Sequence, residues 1–159
     1  MNPASSMALS NNPIVVFLAD DDADDRAMFE EVIREVDPTI QLTCAEDGKV
    51  LLTMLQSGKY PLPHLLFLDL NMPNKNGKEC LDEIRSSERL KDIPVIIYST
   101  SSSPKDIDDT FEKGANLYIR KPSSFQELRV IARAVLAIEW SNYKPFLAKS
   151  TFVFAYKSV

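Results

Sequence analysis

Short apolar runs alternate along the chain with amphipathic stretches, and the alternation occurs five times. Most of the runs are almost continuously apolar, which is typical of parallel strands that are covered on both faces. Each run is followed by apolar residues at helical spacing, as between Met28 and Val36. The predicted strands are Ile14–Ala19, Ile40–Ala45, Leu65–Leu68, Val95–Tyr98 and Leu117–Arg120.

Turn-forming residues mark the borders of the same segments. Gly58, Pro61 and Pro63 interrupt the chain before the third strand, Pro94 precedes the fourth, and Gly114 stands before the fifth, where a helix cap belongs. A repeated strand–helix pattern predicts an α/β fold with a right-handed, doubly wound parallel sheet and helices on both faces. Five strands favour the flavodoxin-like order 2-1-3-4-5.

The two ends of the chain differ from this pattern. Residues 1–12 are rich in Asn, Ser and Pro and predict a disordered leader, residues 13–140 form the predicted domain, and residues 141–159 are an extension. Within the extension, Phe152–Tyr156 alternates aromatic with smaller residues, as a half-buried strand would. It has two interpretations, an extra edge segment or an arm that docks on a partner, and the sequence does not choose between them.

Composition narrows the classes of function. With 159 residues the chain fits one domain, and a net charge of −5 without any Lys/Arg-rich block argues against direct binding of nucleic acid. No apolar run is long enough to span a bilayer, and the N-terminus lacks the features of a signal peptide. Cys44 and Cys80 lie in apolar patterns and are expected to be buried thiols. We therefore expect a cytoplasmic protein.

The segment FLADDDADD places five aspartates directly after the first strand. In the order 2-1-3-4-5 the first and third strands are neighbours, so Asp20 and Asp21 should meet Asp69, which follows the third strand. Asp22 is expected to cap the next helix. Asp24 and Asp25 are expected in the first helical turn, where they would influence the site only from a distance.

Three convergent carboxylates repel one another, since a like-charged pair 4 Å apart costs ~4 kcal/mol at an effective dielectric of about 20. A hard divalent cation relieves that repulsion, and Mg²⁺ keeps positions free for a phosphate oxygen. The hydroxyl run Ser99–Ser101 follows the fourth strand, and Lys121 follows the fifth. Together these groups predict a phosphoryl-transfer site in which a carboxylate is the nucleophile.

Four motifs stand in order at the predicted strand ends: LADDD, FLDLNMPNKNG, IPVIIYSTSS and GANLYIRKP. In these motifs the sequence resembles the receiver domains of response regulators (CheY-like) from two-component signalling, over about Pro13 to Trp140. The phrases YSTSSSPKDI and IEW are most similar to the stand-alone, single-domain regulators, some of which partner phytochrome-type or hybrid histidine kinases.

The resemblance implies a role for each acid of the site. Asp69 is similar to the phospho-acceptor, and Asp20 and Asp21 match the acidic pair that holds Mg²⁺ together with Asp69. The main-chain carbonyl of Asn71 matches a further metal ligand.

The resemblance also implies a switch. Ser99 matches the hydroxyl that bonds the phosphoryl oxygen, Lys121 the lysine of the site, and Tyr118 the aromatic residue that turns inward when that hydroxyl moves. It further implies a cis bond between Lys121 and Pro122.

The function that follows is a phosphorylation switch. A histidine kinase or histidine phosphotransfer protein would donate a phosphoryl group to Asp69, and the chain would act through protein contacts with an unknown output protein. It would not be an enzyme beyond its own phosphorylation and dephosphorylation, and a weak homodimer is a further hypothesis.

Other functions are weighed beside it. A phosphatase of the haloacid dehalogenase type needs a second acid two residues after the nucleophile, where this chain has Asn71. A nucleotide binder would need a glycine-rich loop, and the four glycines form none. A receiver-like adaptor without phosphoryl turnover is the remaining alternative.

Overall fold

A computed structural model of the chain describes residues 13–140 and 149–154. The predicted leader, residues 1–12, lies outside the described residues, as do residues 141–148 and 155–159 of the extension. Five strands alternate with five α-helices, and each strand lies within one residue of its predicted bounds. The elements are β1 (Val15–Ala19), α1 (Ala23–Val36), β2 (Gln41–Ala45), α2 (Gly48–Gln56), β3 (Leu65–Leu68), α3 (Gly77–Ser86), β4 (Val95–Ser99), α4 (Pro104–Glu112), β5 (Leu117–Arg120), α5 (Phe125–Leu136) and a 3₁₀ turn (Lys149–Thr151).

The strands form one parallel sheet in the order β2-β1-β3-β4-β5, which confirms the predicted flavodoxin-like fold. Alternate residues of each strand enter two separate cores. Phe17 packs on the side of α2, α3 and α4, whereas Leu18 packs on the side of α1 and α5. The central strands are therefore covered on both faces, which explains their continuously apolar sequences.

Each α-helix begins with a side chain that accepts a hydrogen bond from the helix's first turn. This satisfies a main-chain N–H group that has no partner within the helix. The prediction that Asp22 caps the first helix is confirmed, and its carboxylate accepts the N–H of Asp25. The five capping residues are Asp22, Asp47, Asn76, Ser103 and Ser124.

The last described segment covers the outer edge of β5. Val153 forms a parallel bridge with Tyr118. The N–H of Tyr118 donates to the carbonyl of Phe152 at 2.9 Å, and the N–H of Phe154 donates to the carbonyl of Tyr118 at 2.8 Å. Of the two interpretations of the extension, the structure supports the edge segment for residues 152–154.

Both cysteines are free thiols. Cys80 is buried as expected, and burial raises the pKa of its thiol to about 12. The expectation for Cys44 is wrong, because β2 is an edge strand and leaves this residue partly exposed. Among the described residues, no helix is long and apolar enough to cross a membrane.

Candidate metal and phosphoryl site

The sheet brings three aspartates together at the carboxyl ends of β1 and β3. In this strand pair Ala19 lies opposite Leu68. One further main-chain hydrogen bond follows the last paired residues, from the N–H of Asp69 to Ala19 O at 3.0 Å. Carboxylate oxygens of Asp20, Asp21 and Asp69 consequently lie within 4.8 Å of one another. Asp20 and Asp69 are buried, whereas Asp21 is exposed.

The donor set of this cluster fits a hard divalent cation. Asp20 Oδ1 accepts the N–H of Asp22 at 3.0 Å, but the buried Oδ2 has no hydrogen-bond partner among residues 13–140 and 149–154. The Nζ of Lys121 forms an ion pair with the same Oδ2 at 2.8 Å, but the angles of this contact are not those of a hydrogen bond. A buried carboxylate oxygen with free lone pairs, beside two further carboxylates, suits Mg²⁺, which prefers oxygen ligands. The role of the Asn71 carbonyl stays a prediction.

Lys121 reaches into the cluster from the end of β5. Its Nζ lies 2.8 Å from Asp20, 2.9 Å from Asp25 and 3.3 Å from Asp69, and its side chain is only 8% exposed. The expectation that Asp25 acts only from a distance is therefore wrong. The first turn of α1 lies beside the carboxyl ends of the strands. The carboxylate of Asp25 in that turn therefore contacts Lys121 directly.

The protonation of the site follows from burial and charge. Burial raises the pKa of Asp69 from its ordinary value of 3.8 to about 6, although the ammonium of Lys121 opposes the shift. Asp20 adds to the increase as a like charge. Burial alone would lower the pKa of Lys121, but the carboxylates of Asp20 and Asp25 outweigh burial and raise it. The lysine is thus a permanent cation at neutral pH.

A glycine allows helix α3 to begin against the loop that starts at Asp69. The N–H of Gly77 donates to the carbonyl of Leu70 at 2.9 Å. A Cβ at this position would lie 2.2 Å from the main-chain oxygen of Asp69, so any larger residue would displace the loop. Sequence reasoning missed Gly77; the available signal was an Asn-Gly pair ahead of an amphipathic helix.

Ser99 and Tyr118 are joined through the loop after β4. Ser99 is fully buried, and its Oγ accepts the N–H of Ser101 at 3.1 Å. The hydroxyl of Tyr118 donates to the carbonyl of Ser101 at 2.7 Å, and its ring points inward, with 1% of the residue exposed. These contacts make Ser101 the connection between the two predicted switch residues.

The expected cis bond between Lys121 and Pro122 is wrong, because the described residues contain no cis peptide bond. The trans form is the favoured one for X-Pro bonds. With this bond trans, the N–H of Lys121 still donates to the carbonyl of Ser99 at 2.8 Å and Nζ still reaches the acids.

Comparison with known proteins identifies the arrangement. The sequence pattern of the family described as "Response regulator receiver domain" matches residues 16–133. The chain belongs to this family. Among its relatives is the response regulator Rcp1 of Synechocystis sp., which is 35% identical over 123 residues, covering 75% of this chain and 84% of the relative. The chemotaxis protein CheY of Pseudomonas aeruginosa is 31% identical over 114 residues, covering 72% of this chain and 89% of that protein.

Solved structures of this receiver domain family have the same fold. The phosphorylated cyanobacterial phytochrome response regulator RcpA superimposes with a TM-score of 0.73 at 30% identity, over 78% of this chain and 91% of that chain. The Mn²⁺-bound form of Rcp1 gives a TM-score of 0.74 at 28% identity, over 84% of this chain and 99% of that one. The expected resemblance to stand-alone, phytochrome-associated receivers is therefore confirmed.

Proposed function

We propose that this receiver domain is a phosphorylation switch in which Asp69 accepts a phosphoryl group from a phosphohistidine. A carboxylate oxygen of Asp69 forms the new bond to phosphorus, the N–P bond of the donor breaks, and the departing imidazole keeps its electron pair and takes up a proton. The observation that carries the proposal is the approach of Asp20, Asp21 and Asp69 within 4.8 Å, with Lys121 Nζ 3.3 Å from Asp69.

Each charged residue has a separate task in the transfer. Asp20 and Asp21 would hold Mg²⁺ together with Asp69 and the carbonyl of Asn71. Bound there, Mg²⁺ supplies charge neutralisation for the phosphoryl oxygens. Lys121 places an ammonium beside the acceptor, where it can pair with one of those oxygens as a compact point charge. Asp25 also pairs with this ammonium, at 2.9 Å.

The response to phosphorylation would pass through Ser99. A hydrogen bond from its hydroxyl to a phosphoryl oxygen would move the loop that carries Ser101, and the inward position of Tyr118 would be fixed with that loop. The surface formed by α4, β5 and α5 would then differ between the two states, and an output protein would read that difference.

Two similarities support this chemistry. RcpA has been solved in a phosphorylated form and Rcp1 in a Mn²⁺-bound form, and both share the fold of this chain. By analogy, the donor would be a histidine kinase or histidine phosphotransfer protein. The chain would be no enzyme toward other substrates, and it would work in the cytoplasm, where free thiols such as Cys44 and Cys80 persist.

Calorimetric titration with Mg²⁺ tests the metal site. Asp21 is exposed, so Asp21→Asn should leave the fold intact and weaken Mg²⁺ binding by about tenfold or more, since a charged ligand is lost. Asp22→Asn is the matched control, because Asn caps a helix as well as Asp does. The Mg²⁺ affinity of this variant should stay within about twofold of the wild-type value. Equal Mg²⁺ affinity in wild type and Asp21→Asn, or no saturable binding by wild type, would contradict the proposal.

A further inference from the structure

The C-terminal segment 152–154 pairs with the sheet at the predicted switch residue Tyr118. Two main-chain hydrogen bonds, of 2.9 and 2.8 Å, join it to the N–H and the carbonyl of that residue. Because β5 is an edge strand, this pairing occupies main-chain groups that would otherwise face solvent.

The side chain of Phe152 is the anchor of the segment. It is fully buried, although it lies near the end of the chain, and its ring packs edge-on against two others. The centroid distances are 6.1 Å to Tyr118 and 5.2 Å to Phe111 of α4. Phe152 therefore fills the space between β5 and α4, on the face of the sheet to which Tyr118 also belongs.

A continuous set of contacts leads from this anchor to the site. Phe152 packs on the ring of Tyr118, the Tyr118 hydroxyl donates to Ser101, and the N–H of Ser101 donates to the Oγ of Ser99. Tyr118 could leave its buried position only if its ring contact with Phe152 and its bond to Ser101 were both lost. The docked segment and the inward ring thus stabilise each other.

We propose that Phe152 is a positioning residue, which holds Tyr118 inward and so favours phosphorylation of Asp69 when the segment is docked. The inference rests on the proposed function, because it assumes that the inward ring belongs to the phosphorylated state. Coupling between two sites is reciprocal, so phosphorylation must in turn strengthen the docking of residues 152–154. Release of the segment, by an output protein that binds it or competes for the β5 edge, would weaken the phosphorylated state.

The test compares Phe152→Ala with Val153→Ala in the full-length chain. Val153 is in the same segment but 39% exposed, which makes it the matched control. Beryllofluoride with saturating Mg²⁺ is the probe, and the chain carries 3-fluorotyrosine so that ¹⁹F NMR reports the ring of Tyr118, assigned from Tyr118→Phe. Phe152→Ala should weaken beryllofluoride binding by about fivefold or more, since about fivefold is the lower end of typical coupling between two sites. Val153→Ala should weaken it by less than about twofold.

The ¹⁹F resonances distinguish a positioning role of Phe152 from a general loss of structure in Phe152→Ala. In Phe152→Ala without beryllofluoride the Tyr118 resonance should move toward that of an exposed ring and return when the probe saturates the site. Without beryllofluoride, the resonance of Tyr98, which is buried in the opposite core, should be the same in Phe152→Ala as in wild type. If Phe152→Ala unfolds, Phe154→Pro replaces it, because it removes the N–H that bonds to Tyr118 but keeps the Phe152 ring.

The outcomes distinguish this inference from the proposed function. Wild type that fails to bind beryllofluoride would contradict the proposed function itself. Wild type that binds it, with unchanged affinity and an unchanged Tyr118 resonance in Phe152→Ala, would overturn the positioning role alone. Tighter binding by Phe152→Ala would also overturn it, because the segment would then oppose phosphorylation.

Discussion

Asp69 differs from an ordinary surface aspartate because of its position among other charged groups. It is buried beside a second buried carboxylate, and the nearest cation, Lys121, is shared with Asp20 and Asp25. Its raised pKa therefore records an unfavourable charge that the fold retains. A residue held in this way destabilises the fold, and the proposed binding of a cation and a phosphoryl group would relieve that unfavourable charge.

Removing that charge should stabilise the metal-free protein, and the gain should depend on pH. The folded pKa of about 6 exceeds the ordinary value of 3.8, so the folded state binds more protons in between and stability falls as pH rises through this window. Each pKa unit corresponds to about 1.4 kcal/mol, so the full shift corresponds to roughly 3 kcal/mol. Because solvent screens part of this charge, Asp69→Asn should raise the free energy of unfolding by about 1–2 kcal/mol at pH 7.5. At pH 4 the gain should largely vanish.

Thermal melts in chelator at both pH values check this prediction. Asp82→Asn is the control, since Asp82 is exposed and pairs with Lys113 at the surface, so its melting temperature should change little with pH relative to wild type. A melting temperature of Asp69→Asn below that of wild type at pH 7.5 would show that the charge of the Asp69 carboxylate does not destabilise the fold.

Single residues were predictable from sequence where the backbone alone decides their position. Asp20, Asp21 and Asp69 follow strands, so strand order was enough to bring them together. The contact of Asp25 with Lys121 and the role of Ser101 depend on side-chain directions and on the path of a loop, which periodicity does not specify.

At the scale of elements, one arginine fastens α3 to the chain segments around it. Arg85, in the last turn of α3, donates from Nε to the carbonyl of Gly114 at 2.9 Å and from Nη2 to Asn116 Oδ1 at 2.8 Å. Its Nη1 donates to the carbonyls of Lys91 and Ile93, each at 2.9 Å. This residue therefore connects α3 to the segments that enter β4 and β5, the two strands that carry Ser99 and Tyr118.

Replacing Arg85 should destabilise the domain more than its partial exposure suggests. Arg85→Met leaves several polar groups without a partner, and we expect a loss of about 2–4 kcal/mol. Arg85→Lys should recover little, because one ammonium cannot span the positions that the planar guanidinium reaches. Urea denaturation measures both losses.

Arg34→Met is the matched control for this series. Arg34 is exposed and, within the part of the chain that the structure describes, pairs only with Glu30 on the same helix, so its loss should cost less than about 1 kcal/mol. Equal stability of Arg85→Met and Arg34→Met would contradict the fastening role.

The strands and α-helices were predictable in number and type, and the strands also in their bounds, because each has a clear period and turn residues at its ends. Contacts between loops were not. His64 shows this, because its Nδ1 accepts the N–H of Val15 at 2.9 Å and thereby fixes the start of β1 beside the segment that enters β3. A lone histidine before a strand gives no signal of such a bond.

At the scale of the molecule, the acids of the candidate site and the two predicted switch residues lie on different strands of the sheet. The acids meet at the carboxyl ends of β1 and β3, while Ser99 and Tyr118 lie on β4 and β5 toward one edge of the sheet. The order of the strands was predictable from the repeated strand–helix pattern. The docking of residues 152–154 was not, because alternation indicates a strand but does not indicate which edge it joins.

The central claim is that Asp69 accepts a phosphoryl group with the help of a divalent cation, and intact-mass spectrometry after incubation with acetyl phosphate tests it most directly. Wild type should gain a single phosphoryl adduct with Mg²⁺ and none in chelator, and Asp69→Ala should gain none under either condition. Absence of the adduct in folded wild type that binds Mg²⁺ would contradict the account and favour an adaptor without phosphoryl turnover. An adduct that persists in Asp69→Ala would place the acceptor elsewhere.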